Sequence, residues 1–243
     1  CLKSIGKIMN DLWQAITTAS DLLLGLDKSL VEIVTRSLGV SLTAVAMATL
    51  IGLPLGALLA LSRFPGRRVL LVIMNALMGL PPVVVGLVVL LLLSRSGPMG
   101  ALGLLFTPAA MIIAQTILVL PIIVALSSTV IENLWQEYEE QMMSLGAGPW
   151  DRIMALLWDG RFALMTTVLA GFGRANAEVG AVMIVGGNID HVTRVMTTAI
   201  ALEASRGDLA LALGLGIVLL LLSLAINAAS YSVREFARLR YQA

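Results

Sequence analysis

The sequence predicts an all-α integral membrane protein: five core transmembrane helices preceded by an amino-terminal interfacial helix. Three observations carry that reading. Hydrophobic residues make up 58% of the 243-residue chain and charged residues 13%, against about 25% charged in ordinary soluble domains, and the mean hydropathy is +0.95. The apolar residues gather into runs that can bridge a hydrocarbon core of roughly 30 Å, which takes about 20 helical residues. The charges collect between those runs. The net charge of +1 conceals arginine clusters whose placement reports orientation better than their sum does.

Composition also excludes chemistry. A single cysteine, Cys1, rules out an internal disulfide framework and a cysteine metal cluster, and no lipoprotein role is expected for it, since no signal segment precedes it. A single histidine, His191, rules out a bis-histidine haem or a histidine-built metal site within one chain. The Gly6-Lys7 pair is followed by Ile8 and lacks the glycine spacing of a phosphate-binding loop. No catalytic residue and no metal ligand is assigned. If ATP drives this protein, another chain binds it.

Taken in order, residues 1–36 mix Leu12, Trp13, Ile16, Leu22, Leu23 and Leu24 with Asp11, Asp21, Asp27 and Lys28, which suits an interfacial helix better than a span. The transmembrane domain covers 37–233. Its first span, about 37–62, carries Gly52 and Gly56 on either side of Pro54, a small-x-x-x-small spacing that permits close helix approach. Arg63, Arg67 and Arg68 bracket Pro65-Gly66. By the positive-inside rule this basic turn is cytoplasmic, which puts the amino end outside. The second span, about 69–94, holds Pro81-Pro82 at its centre. Two prolines remove two backbone donors, and Pro82 pushes Pro81 out of helical geometry, so a break at mid-membrane is predicted. Exposed backbone there is tolerated only inside protein or along an aqueous path. Physics alone leaves the path and the plain kink open.

The third span, about 105–130, has Pro108 near its start and Pro121 within it, where a bend is expected. The fourth, about 162–185, contains Arg174 and Glu178. At 1.5 Å per residue, Arg174 lies roughly 18 Å inward from Phe162, a depth at which an unpaired arginine costs about 2.5–3.5 kcal/mol on insertion scales. A spacing of four residues puts both side chains on one helical face, where they can pair. The pair suits either a structural role or a place in a path or gate. Next, Asn188, Asp190, His191, Arg194, Glu203 and Arg206 fall outside the membrane in a short amphipathic helix, whose mixed surface suits a soluble partner. His191 reads as a surface residue. The fifth span, about 209–232, has Gly214 and Gly216 for close packing, and the tail, 234–243, sets Arg234, Arg238 and Arg240 against Glu235. That tail is cytoplasmic by the same rule, and an odd number of spans agrees with an external amino end.

Between the third and fourth spans lies a polar segment, 133–161. Trp135, Tyr138, Met142 and Leu145 recur at helical spacing, so a short helix from about Asn133 shows one apolar face and one acidic face. Gly146 and Gly148 supply freedom to turn, and Pro149 suits the first position of a second helix. That helix places Trp150, Ile153, Met154 and Leu157 on one side. Two amphipathic helices joined by a glycine turn make a rigid knob for a partner to grip.

These residues carry a family resemblance. Glu140, followed six residues later by Gly146-Ala147 and then Gly148-Pro149-Trp150, resembles the Glu-Ala-Ala-x-x-x-Gly coupling loop of ABC importer permeases. Gln141 and Met142 replace the usual alanines, and Trp158-Asp159 replace a frequent Leu-Pro. The run from Gly79 through Leu80, Pro81 and Pro82 to Gly86 resembles the same span of molybdate and tungstate permeases. Arg174-Ala175 through Glu178 to Gly180-Ala181 resembles a stretch of oxyanion permeases. Gly186-Gly187-Asn188-Ile189 and the string Thr193 to Ile200 are most similar to the tungstate branch.

The resemblance implies the type I ABC importer fold, molybdate-permease-like, and a permease for a tetrahedral oxyanion, tungstate first and molybdate second. It implies a homodimer in a bacterial or archaeal inner membrane, in contact with lipid and with no nucleic acid. Two ABC ATPase subunits bind ATP and Mg, so the assembled transporter hydrolyses ATP although this chain holds no cofactor. An extracytoplasmic oxyanion-binding protein docks near Asn188, Asp190, Arg194, Glu203 and Arg206. Glu140, Leu145, Gly146, Ala147, Gly148, Pro149 and Trp150 couple to the ATPase, and Pro81, Pro82, Arg174 and Glu178 belong to the path or gate. An ion-coupled secondary carrier using Arg174 and Glu178 is the alternative.

Overall fold

Apolar runs that lie in hydrocarbon must satisfy their own backbone groups, and an unpaired chain does this only as helix. The computed structural model describes residues 28–242, together with residues 13, 14, 16–18, 20 and 25. Most of the interfacial helix expected over 1–36 therefore lies outside the described residues. The elements are α1 (Lys28–Leu61), α2 (Arg67–Leu77), α3 (Pro82–Leu93), a 3-10 turn (Gly100–Leu102), α4 (Pro108–Ser144), α5 (Pro149–Asp159), α6 (Arg161–Asn176), α7 (Gly180–Gly186), α8 (Met196–Arg206) and α9 (Leu209–Gln242). Helices α1 and α4 and the 209–229 part of α9 are each long and apolar enough to cross a membrane alone.

Four expectations are adjusted. Helix α1 does not begin at 37 but at Lys28, so residues 28–36 continue the first span rather than lie apart from it. Helix α4 runs unbroken through Pro121 to Ser144, so the helix expected to start near Asn133 is the end of the third span. Neighbouring helices hold such a proline in place where no water competes for the freed carbonyl. The fourth span is interrupted: α6 stops at Asn176 and α7 starts at Gly180. Helix α6 alone covers about 24 Å, short of the roughly 30 Å core. Finally, the expected tail continues α9 as helix through Gln242.

The contacts fall into two units, one built from residues 42–81, 115–175 and 230–243 and the other from 1–41, 82–114 and 176–229. In the first, α4 is the spine. A Cβ on Gly52 would come within 2.8 Å of Ile123, one on Gly171 within 2.9 Å of Val119, and one on Gly56 would overlap the Ser127 hydroxyl. Helices α1 and α6 therefore reach α4 at points where they carry no side chain, as the Gly52/Gly56 spacing predicts for α1. Two ion pairs join the basic turn to the acidic end of α4: Arg63 to Glu139 at 2.9 Å and Arg67 to Glu132 at 3.0 Å. In the other unit α3 and α7 pack through glycines, a Cβ on Gly86 falling 2.9 Å from the Ala181 Cα and one on Gly180 3.0 Å from Val83. Leu30, Met196, Ala199, Leu215 and Val218 form its buried cluster.

Gly56→Ala is expected to destabilise the protein by about 1–3 kcal/mol through overpacking. Gly39→Ala, where a Cβ meets nothing within 4 Å, is expected to leave the midpoint unchanged or raise it, since alanine favours helix by about 1 kcal/mol. Thermal unfolding of the purified variants in detergent separates the two.

Candidate functional site

The knob is built by burying one face of each of its helices. Trp135, Tyr138 and Met142 of α4 pack against a core of Ala57, Ala60, Ile131 and Leu164, to which α5 adds Ile153 and Leu156. Leu145 does not join them; it is 83% exposed in the turn. Gly146 takes φ +67°, and its N–H donates to the Met143 carbonyl while that of Ala147 donates to Met142, both at 3.1 Å, closing α4 in the left-handed manner that favours glycine. Gly148 is extended, so its freedom is not what makes the turn. Its N–H donates to the Asp151 carboxylate at 3.1 Å, and Pro149 opens α5.

Arg152 locks this turn, donating from Nε to the Ala147 carbonyl at 2.8 Å with its guanidinium 5.5 Å from the Trp135 ring centre. The sequence reading missed it, and a cation one turn into a helix that follows an aromatic face is the signal that could have found it. The outward face of α5 is then Trp150, 74% exposed, with Met154 and Trp158 behind it at successive i+4 positions. Ile153, which the pattern grouped with Trp150, points the other way into the core. Glu140 is exposed on the last turns of α4. Two indoles and a methionine beside Leu145 thus form an exposed apolar stripe.

Helix α5 turns into α6 through 75° at Gly160, where a Cβ would approach Leu134 to 2.8 Å. The far end of α6 carries Arg174, whose Nη2 donates to the Leu80 carbonyl at 3.4 Å. Leu80 lies in the break between Leu77 and Pro82, so the predicted interruption at Pro81-Pro82 is present and Arg174 reaches it. A cation in the last turn of a helix also meets the favourable end of its dipole. Gln115 donates to the Ala175 carbonyl at 3.1 Å from within the buried face of α4; a lone amide in an apolar run was its sequence signal.

Glu178 is buried, with its carboxylate accepting from the Ala181 N–H at 3.0 Å and its carbonyl accepting from the Thr197 hydroxyl at 2.8 Å. The single helical face on which spacing set it with Arg174 is absent, because the helix stops at Asn176.

The segment expected as one amphipathic helix is a turn followed by α8. Gly187, Asn188 and His191 all take positive φ, while the Thr193 hydroxyl donates to the Gly186 carbonyl at 2.6 Å and accepts from the Ile189 N–H at 2.9 Å. Asp190 pairs with Arg194 and Glu203 with Arg206, each at 2.8 Å. Asp190, Arg194 and Glu203, with His191, line a cleft of about 300 Å³ floored by Leu30 and Leu215; Asn188 and Arg206 are not part of its lining. His191 is exposed, as predicted, yet its Nδ1 lies 2.8 Å from Glu32, and Arg36 donates to its carbonyl at 2.7 Å. Neither partner was found from sequence, since 159 residues separate Glu32 from His191. The hydrogen bond and charge of Glu32, with Asp190, raise the imidazole above its ordinary value, against the opposing effects of burial and Arg36.

Among the described residues no cluster of His, Cys, Asp or Glu is arranged to hold a metal ion. A helical protein with three to five candidate spans, an exposed apolar knob and a break in one span has the make-up of a transport permease. The chain belongs to the family of binding-protein-dependent transport system inner membrane components, the type I ABC importer permeases, with the match covering residues 52–239. It is 43% identical over 222 residues to the tungstate uptake system permease protein TupB of Peptoclostridium acidaminophilum, covering 91% of this chain and 97% of that one. A probable anion ABC transporter permease protein of Haloferax volcanii is 42% identical over 85% of this chain and 91% of its own. The molybdenum transport system permease protein ModB of Azotobacter vinelandii is 29% identical over 81% and 90%. This membership does not favour an ion-coupled carrier.

Because the raised histidine value stabilises the protonated form, the His191–Glu32 contact contributes stability that is fully present below pH 6.5 and is lost as pH rises through the raised value. Glu32→Gln is expected to return the imidazole titration toward its ordinary position, read from the His191 ring proton by NMR.

Proposed function

We propose that the chain is the membrane permease of an ATP-driven importer for a tetrahedral oxyanion, tungstate first and molybdate second. The observation that carries the substrate is the 43% identity, over 91% of the chain, to a relative named for tungstate uptake, against 29% to one named for molybdenum transport. Two copies form a homodimer around a central path. Each takes one ABC ATPase subunit, which binds ATP and Mg, so ATP hydrolysis belongs to the assembly. In this reading the protein lies in a bacterial or archaeal inner membrane with its amino end outside and its carboxyl end in the cytoplasm. An extracytoplasmic binding protein delivers the anion to the face bearing Asn188, Asp190, Arg194, Glu203 and Arg206.

Coupling is mechanical, and no residue of this chain does covalent chemistry. The turn from Glu140 through Gly146, Ala147, Gly148 and Pro149 presents Leu145 and Trp150 to a cleft of the ATPase. When the ATPase subunits close, the displaced knob carries α5, which is fixed to α4 by Ile153 and Leu156 and continues through Gly160 into α6. The displacement thereby reaches Arg174 and the Leu80 carbonyl. Pro81 and Pro82 free backbone groups there, and Arg174 and Glu178 complete the path or gate.

Reconstitution with the cognate ATPase and binding protein is expected to give ATP-dependent uptake of tungstate ahead of molybdate and sulfate. Equal uptake without the ATPase would overturn the proposal. Gly146→Leu strains a left-handed position by roughly 1–2 kcal/mol and is expected to leave the spans inserted while uptake falls relative to ATP hydrolysis; unchanged coupling would remove the turn from the mechanism. Trp150→Ala, cutting away an exposed indole at the proposed contact, is expected to weaken ATPase binding at least tenfold, measured by titrating the ATPase against permease in nanodiscs.

A further inference from the structure

Helix α1 holds the turn between α7 and α8 with side chains from its first turns. Its 34 residues rise about 51 Å, and with its far end at the basic turn of Arg63 to Arg68 those first turns stand clear of a core of roughly 30 Å. There Glu32 Oε2 lies 2.8 Å from His191 Nδ1, Arg36 donates to the His191 carbonyl at 2.7 Å, and the Ser37 hydroxyl accepts from the Met196 N–H at 2.7 Å. Glu32 and Arg36 pair with each other at 2.7 Å. The turn needs such holding. Asn188 at φ +50° and His191 at φ +56° sit in the left-handed region, which is uncommon for any residue with a side chain although Asn and His tolerate it best. This clasped arrangement also leaves Arg36 Nη1 and Arg194 Nε buried without an acceptor among the described residues, at a desolvation cost. Backbone strain and unsatisfied donors favour departure from it, and the contacts from α1 oppose departure.

Facing the imidazole are Glu32 and Arg36 from α1 and Asp190 and Arg194 from the turn. On the cleft that His191 lines, α8 adds Glu203, which is paired with Arg206, and α9 adds Leu211 and Leu215. Imidazole is the side chain whose ordinary value puts its change of charge between about pH 5 and 8. Protonated, the ring gives Glu32 a charge-assisted hydrogen bond; neutral, it can still donate from Nδ1, but such a bond is about half as strong. The raised value described above has the same sign, since the protonated ring belongs to the clasped turn. The turn also reaches the interruption of the fourth span. Directly after Met196, the Thr197 hydroxyl donates to the Glu178 carbonyl at 2.8 Å, so a turn that leaves α1 disturbs a hydrogen bond at the break between α6 and α7.

We propose that His191 is a positioning residue for the gate: protonated, it clasps the turn to α1 and holds Thr197 on Glu178; neutral, it lets the turn leave. Each transport cycle must leave the arrangement that the clasp stabilises, so the importer turns over faster as the pH on that face rises. The effect on uptake rests on the reading of the chain as an importer gated at Glu178, whereas the clasp stands on the contacts of α1 with the turn.

The test uses the full chain in nanodiscs for hydrogen–deuterium exchange, corrected for the intrinsic pH dependence of exchange. The same chain, assembled with its ATPase and binding protein in proteoliposomes, is used for tungstate uptake, with pH varied from about 5 to 8 on the binding-protein side alone. Protection of residues 187–195 and 177–181 is expected to fall about two- to five-fold as pH rises through the His191 titration, the effect of one exposed ion pair. Uptake is expected to rise by a similar factor. His191→Asn keeps a residue that tolerates positive φ but removes the titration, and should give low protection and fast uptake at every pH; Glu32→Gln should flatten both profiles. Because the ATPase and binding protein are common to all variants, the comparison removes their own titrations. Protection that is level with pH, or that changes equally in His191→Asn, would overturn the clasp. Release of 187–195 with 177–181 and uptake unchanged would overturn its action on the gate. An assembly that takes up no tungstate at any pH counts against the importer reading, and the exchange measurements then still decide for or against the clasp.

Discussion

Close approach to helix α4 is the constraint from which the knob follows. In hydrocarbon there is no hydrophobic force between helices, so they associate where backbones can touch and dispersion contacts are dense. Gly52 and Gly56 of α1 and Gly171 of α6 grant that access along α4, and Gly160 does so near its acidic end. Once α1 and α6 are seated, the core of Ala57, Ala60, Ile131 and Leu164 receives Ile153 and Leu156 and thereby fixes which face of α5 turns outward. The exposed indoles are a consequence of that packing. A larger residue at any of these glycines would move the exposed stripe of the knob without touching it.

A second regularity concerns helix ends. Each interruption of the helices leaves carbonyls or amides without intrahelical partners, and in a membrane these cannot be left to water. The structure answers with side chains from other elements: Arg174 at Leu80, Gln115 at Ala175, Glu178 at Ala181, Thr197 at Glu178. These four side chains therefore act where helices stop.

Much of this was legible in the sequence. Long uncharged runs gave the spans, two adjacent prolines gave the break before α3, and Gly146 and Pro149 gave the turn and the start of α5, because each of these is a local property of the chain. What escaped was set by distant contacts. The switch from apolar to acidic residues near Asn133 reads as a boundary, but a helix does not end where its solvent changes, and α4 continues on its half-buried Trp135, Tyr138 and Met142. Gly171 and Gly173 lie inside α6 and not after its end, so neither announces that the helix has stopped before Glu178. Ile153 and Trp150 look equivalent by spacing and are divided only by which neighbour lies behind them. The pairing of His191 with Glu32 has no local trace.

The 75° angle between α5 and α6 makes the elbow at Gly160 a lever. From Arg161 to Arg174 the arm is about 20 Å at 1.5 Å per residue. A rotation of roughly 10° about the fulcrum sweeps the arm's tip through about 3 Å, the length of one hydrogen bond. In the coupling proposed above, a displacement of that size is enough to exchange one bonded state at the Leu80 carbonyl for another.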